Sequence, residues 1–122
     1  MERLLDANAV LRYLLEDVQE QADIVARSIE LGAEVTVEVL AECVYVLSGV
    51  YRASRSDIAE SLGILLDEVT CRRKRVAAMA LGLYSASSLD FVDCVLAAEV
   101  AEGGREVLTF DKKPQGLLGR FV

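Results

Sequence analysis

The chain contains no histidine and no tryptophan, a single proline and only three cysteines. Without histidine, Ser-His-Asp and Cys-His nucleophile systems are excluded together with most zinc sites, which leaves carboxylates as the obvious chemical groups. Cys43, Cys71 and Cys94 form an odd set with no CxxC spacing, and each has apolar neighbours, so they read as small core residues. No uncharged apolar run reaches the length of a membrane span, and Met1-Glu2-Arg3 leads towards an acid instead of a signal-peptide core. The expectation is a cytoplasmic protein with no membrane association. One proline, no low-complexity run and no internal repeat leave no natural linker, so residues 1–122 read as a single domain with one core.

What is present is apolar surface and acid. Hydrophobic residues make up 53% and charged residues 27% of the chain, which places it among globular proteins with apolar surface to spare, and a homodimer is expected. The 20 acids against 13 bases give a net charge of -7, which argues against gripping nucleic acid by general electrostatics alone. The imbalance is uneven: residues 1–51 carry 10 acids and 3 bases, whereas residues 52–75 carry 4 acids and 6 bases. The dense basic run is Arg72-Arg73-Lys74-Arg75 at the start of a predicted helix. A solvated helix start is the plain reading, but a basic first turn opposes the helix dipole and needs an anion nearby. Helical phase sets Lys74 opposite the Val76, Ala80 and Leu83 stripe with Arg75 at its edge, where both could reach a passing phosphate.

Apolar periodicity predicts a short strand at Leu4-Leu5, helices over about 9–15, 18–31 and 37–51, and a brief strand at Glu34-Val35-Thr36. A fourth helix, capped by Ser56-Asp57, runs to about Leu66, a strand over Glu68 to Cys71 follows, and a fifth helix covers about 73–84. Ser87-Ser88-Leu89-Asp90 reads as a capping box for a sixth helix that Gly103-Gly104 ends, and Glu106 to Phe110 reads as a last strand. Strands separated by helices imply crossover connections and a mostly parallel sheet covered on both faces. In such folds the working site lies off the carboxyl ends of the strands, where Asp6 and Asp111 fall.

Each acid also has a structural explanation to set beside the chemical one. Asp6 suits a turn or N-cap, and Glu38 sits in a first turn where the dipole favours it. Glu42 is one turn further on, a like-charged i, i+4 neighbour of Glu38 with no capping benefit. Asp93 lies on a helix that reads as apolar almost all round and therefore buried, where an unpaired carboxylate costs several kcal/mol or becomes protonated. Asp111 precedes Lys112-Lys113 and suits a surface turn. A divalent cation would satisfy all four, and Mg²⁺ favours such oxygen donors.

Asp6-Ala7-Asn8 after a short apolar strand, Leu40-Ala41-Glu42-Cys43-Val44, Asp90-Phe91-Val92-Asp93-Cys94 and Thr109-Phe110-Asp111-Lys112 resemble, in order and spacing, the motifs of PIN domains, and more narrowly the VapC-type toxins of toxin-antitoxin pairs. The resemblance runs from about Arg3 to Lys113. It implies a three-layer α/β/α fold and a Mg²⁺- or Mn²⁺-dependent endoribonuclease held inactive by a cognate antitoxin. On the matching positions Asp6, Glu42, Asp93 and Asp111 would be metal ligands, with Asn8, Thr109 and Asp90 orienting carboxylates or substrate. Lys74 and Arg75 are the candidate RNA contacts. The chain departs from the family pattern after Asp111, with Lys112-Lys113-Pro114-Gln115 in place of an acidic or aromatic residue. Aspartyl phosphoryl transfer also uses an acid after the first strand, but Asp6-Ala7-Asn8 lacks the second strand-end acid that chemistry needs. The non-enzymatic alternative is a degenerate PIN domain acting as a binding module.

Overall fold

A computed structural model describes residues 2–110 of the chain. The order of elements is β1 (Arg3–Leu4), α1 (Ala7–Leu15), α2 (Gln19–Leu31), β2 (Ala33–Glu34), α3 (Val37–Gly49), α4 (Arg55–Glu68), α5 (Lys74–Ala86) and α6 (Phe91–Gly103). β1 and β2 pair in parallel, Arg3 with Ala33 and Leu4 with Glu34, and Thr70 adds one parallel bridge to Glu34. Leu5 N–H donates to the Glu34 carbonyl at 2.9 Å, and Val35 N–H donates to the Thr70 carbonyl at 2.9 Å, so the ladder extends slightly beyond the named strands. Among the described residues, six helices and a small parallel sheet match the expected α/β class.

Several local expectations change. The predicted strand over 68–71 shrinks to the single bridge at Thr70, because α4 continues to Glu68. Glu106–Phe110 forms no strand: it has no ladder partner among the described residues, and Leu108 and Phe110 are 87% and 93% exposed. The strand at Leu4-Leu5 is only half buried, since Leu4 faces solvent while Leu5 enters the core. α4 is capped by Ser54, whose Oγ accepts from Asp57 N–H at 3.1 Å, not by Ser56. The predicted capping box does not form either: Asp90 is itself the N-cap of α6 and makes no capping hydrogen bond, while Ser87 Oγ accepts from Leu89 N–H at 3.3 Å. The sequence there fits a box, but the chain enters the helix three residues later than the box needs.

One core joins the elements. Leu40, Ile58, Leu62 and Leu65 are fully buried, each contributing roughly 1.5–3 kcal/mol. All three cysteines are buried and free, as core residues should be. Gly32 ends α2 at φ 107°, a conformation that side chains rarely adopt, and so turns the chain directly into β2. Because the strands are parallel, their carboxyl ends deliver the N-termini of α1, α3 and α5 to the same side of the sheet. Among the described residues no helix is long and apolar enough to cross a membrane.

Candidate metal and RNA site

Asp6 leaves β1 and caps α1, its Oδ1 accepting from Ala9 N–H at 2.8 Å. The capping role read from the sequence is therefore real, and it spends one oxygen while the carboxylate stays exposed. Thr36 caps α3 in the same way, its Oγ1 accepting from Val39 N–H at 3.1 Å, and this fixes the rotation of the helix that carries Glu42. The Cys43 thiol reaches the Ala7 carbonyl at 3.9 Å, joining α3 to α1 one residue from each carboxylate. Burial first, then Glu42 and Asp6, push the Cys43 thiol up to about 12. Both acids therefore lie within electrostatic reach of one buried sulfur.

The remaining acids come from α6. Asp93 is in its first turn and half-buried, and Val92 beside it is 60% exposed, so α6 is not buried all round as its composition suggested. The buried side chains are Phe91, Cys94, Ala97, Ala98 and Val100, and the remainder of the helix is at least partly accessible. Burial raises the Cys94 thiol, and Asp93 and Asp90 add to it while Ser87 and Arg55 oppose. α3 and α6 face each other with opposite sense. Arg73 pairs with Glu38 at the start of α3 and with Glu99 in the second half of α6, whereas Tyr45 near the end of α3 shares a cavity with Phe91 and Val92 at the start of α6. Glu42 and Asp93 fall on these facing segments.

Among the described residues no group of three or more Asp, Glu or Cys side chains stands as a preformed metal site. Asp111 lies outside the described residues, so its place beside the others is not part of the geometry. Asn8 is exposed in the first turn of α1, and Thr109 is half-buried in the segment after α6. The donor chemistry of Asp6, Glu42 and Asp93 fits a hard divalent cation: carboxylate oxygens only, accessible to water, with no soft ligand or imidazole among them.

The basic run divides. Arg72 pairs with Glu34 at 3.2 Å, and Arg73 pairs with Glu99 at 3.0 Å and Glu38 at 3.5 Å, so protein acids supply the anions that a basic helix start requires. Lys74 and Arg75 are exposed and make no ion pair with the described residues. They line a groove of about 930 Å³ between the start of α5 and the second half of α6. Tyr45 and Arg55 are the features that sequence reading passed over. Tyr45 could have been noticed as an aromatic three residues after Glu42 on an otherwise aliphatic helix. Arg55 carries no local signal.

The elements define an α/β protein whose accessible acid Asp6 lies at a helix N-terminus off a parallel sheet. The model of the PIN domain family matches residues 3–116, and the chain belongs to that family. PIN domains are usually nucleases and typically use divalent metals. No curated protein and no solved structure matches the chain.

Proposed function

We propose that the chain is a Mg²⁺- or Mn²⁺-dependent endoribonuclease that hydrolyses phosphodiester bonds, and that it serves as the toxin of a toxin-antitoxin pair of the VapC type. The observation that carries the catalytic reading is the convergence of Asp6 and Glu42 on the α1–α3 contact at Cys43, inside a chain of the PIN family. Asp6, Glu42 and Asp93 would hold the cation, with Asp111 as a fourth acid and Asn8 and Thr109 beside them. When bound, the cation supplies positive charge that lowers the pKa of an attacking water and offsets charge on the leaving oxygen.

The protein's own residues do the positioning. The N–H of Ala9 fixes one oxygen of Asp6, so the carboxylate is oriented before any ligand arrives. Thr36 and the Cys43–Ala7 contact fix α3 against α1 and so set Glu42. Lys74 and Arg75, which make no ion pair with the described residues, would receive backbone phosphates. The chain's acidity favours a protein partner with a basic segment, the role an antitoxin fills, and the exposed apolar residues Leu31, Val50 and Ile64 support a homodimer.

The deciding experiment is cleavage of a single-stranded RNA with and without chelator. Cleavage in Mg²⁺ or Mn²⁺ that stops in EDTA and is lost in Asp6→Asn supports the reading, and full activity in EDTA defeats it. Co-purification of a small partner from the native host, absent from a mock purification, tests the antitoxin.

A further inference from the structure

A cavity of about 440 Å³ opens between the second half of α3 and the start of α6, within the size range of small-ligand sites. Its floor is apolar and aromatic. Tyr84 and Phe91 are buried and meet edge to face, with ring centroids 6.1 Å apart. Tyr45 stands at the rim, 81% exposed, which is an unusual position for a large ring on a helix that otherwise packs well. Two charged groups share the cavity. The Arg55 guanidinium lies 3.7 Å over the Tyr84 ring, donates from Nε to the Tyr84 carbonyl at 2.8 Å and from Nη2 to the Leu89 carbonyl, and pairs with no carboxylate among the described residues. Asp90 is exposed, and its carboxylate neither caps α6 nor makes a hydrogen bond or ion pair to another described residue.

The cavity sits beside the candidate metal ligands in a regular way. Tyr45 follows Glu42 by three residues on α3, and Asp90 precedes Asp93 by three residues on α6. Residues three apart on a helix are neighbours, with Cβ atoms about 5–6 Å apart. Because α3 and α6 run in opposite senses, both steps lead in the same direction in space, from the acids to the cavity. That displacement is comparable to the distance from a nucleotide's phosphate to its base.

We propose that this cavity binds one nucleobase of the RNA, a guanine next to the phosphate held at the acids, with Tyr45 stacking on its face and Asp90 and Arg55 reading its edge. The proposal rests on the ribonuclease reading for its ligand and deepens it by naming the base. Guanine alone among the four bases presents an acceptor beside two adjacent donors, O6 next to N1–H and the exocyclic N2–H₂. A fixed cation beside a free carboxylate complements that order, and the carboxylate can accept both N–H groups. Adenine and cytosine lead with a donor where Arg55 needs an acceptor, and uracil offers Asp90 only one N–H. A ring with a free face stacks on any base, so Tyr45 supplies affinity while the charged pair supplies choice. On this view Asp90 reads the substrate and does not orient a metal ligand.

The test uses the full chain with Mg²⁺ and the four ribonucleoside 5′-monophosphates, which an endonuclease does not cut, followed through the tyrosine ring signals by NMR. Guanosine monophosphate should shift the Tyr45 ring at about tenfold lower concentration than the other three. Asp90→Asn should erase that preference while leaving weak binding of all four. Tyr45→Ala, followed through the Tyr84 ring, should weaken all four by about tenfold. Equal affinity for the four nucleotides, or a guanine preference that survives Asp90→Asn, overturns the proposal. So does a change from dimer to monomer in Tyr45→Ala by light scattering, which would assign this surface to a second copy of the chain. Since mononucleotide binding needs no cleavage, a base-selective chain that cuts nothing would sink the ribonuclease reading alone, and an active one without base preference would sink the cavity alone.

Discussion

The thiol of Cys43 lies 3.9 Å from the carbonyl of Ala7, a contact between α3 and α1 that is one residue in sequence from Glu42 on one helix and from Asp6 on the other. The two acids are far apart in the chain and both lie within electrostatic reach of that sulfur, with neither paired to a basic side chain among the described residues. Removing either charge should therefore affect function far more than folding.

For Asp6 the two effects can be separated by choice of substitution. Asparagine caps a helix about as well as aspartate, so Asp6→Asn keeps the bond from Ala9 N–H and should melt within about 0.5 kcal/mol of wild type while losing cleavage. Asp6→Ala removes the cap as well and should cost about 1 kcal/mol more. Thermal unfolding in EDTA beside an RNA cleavage assay checks both, and an active Asp6→Asn protein would leave Asp6 a cap and nothing more.

Glu42 and Glu38 are like charges one turn apart, and among the described residues only Glu38 has an arginine partner. Glu42→Gln should stabilise the metal-free protein slightly, by about 0.2–0.5 kcal/mol, with the gain shrinking or reversing when Mg²⁺ is added. Paired melts in EDTA and in Mg²⁺ read this. A gain that is the same in both solutions would remove Glu42 from the metal site.

Within the basic run, Lys74 and Arg75 make no ion pair with the described residues. Replacing both by alanine should weaken RNA binding at low salt and flatten its log-log salt dependence by about 0.7 for each single-strand phosphate that is no longer neutralised. Arg72→Ala should do less, because Arg72 is already engaged with Glu34. Binding isotherms at several salt concentrations decide the matter, and an unchanged slope would make the run a solvated helix start.

Cys43 gives a pH signature of the packed α1–α3 contact. In the unfolded chain its thiol ionises near its ordinary value of about 8.5, whereas in the folded chain burial, Glu42 and Asp6 hold the proton until about 12. The stabilisation is fully present below the unfolded value and is lost as pH rises through the folded one, because the unfolded state releases the proton first. Between these values the loss is roughly 1.4 kcal/mol per pH unit. Urea unfolding from pH 8 to about 11 should show a steeper alkaline decline for wild type than for Cys43→Ala. Equal slopes would mean that the thiol is not shielded as the packing requires.

The helices were legible because their signals are local. Apolar spacing, Gly32 and Gly104 with positive φ, and polar residues at Asp6 and Thr36 each act within a turn or two, and α1, α2, α3, α5 and α6 fall close to their expected spans. The family was legible because the residue types and spacing of its motifs survive in sequence, and the odd cysteines read correctly as core. The strands were less so. A two-residue strand has no period to detect, and whether Thr70 or Glu106–Phe110 joins a sheet depends on a partner's hydrogen bonds, not on its own composition. The capping box at Ser87 failed for the same reason: the chain's path into α6 is set by Arg55, which reaches across from α4 to hold the Tyr84 and Leu89 carbonyls. That Cys43 of α3 meets Ala7 of α1, that Arg73 is spent on Glu38 and Glu99, and that Tyr45, Arg55 and Asp90 line one cavity are consequences of how helices pack. Side chains distant in sequence acquire their neighbours only when the core excludes water between them, so those relationships were decided by the tertiary structure.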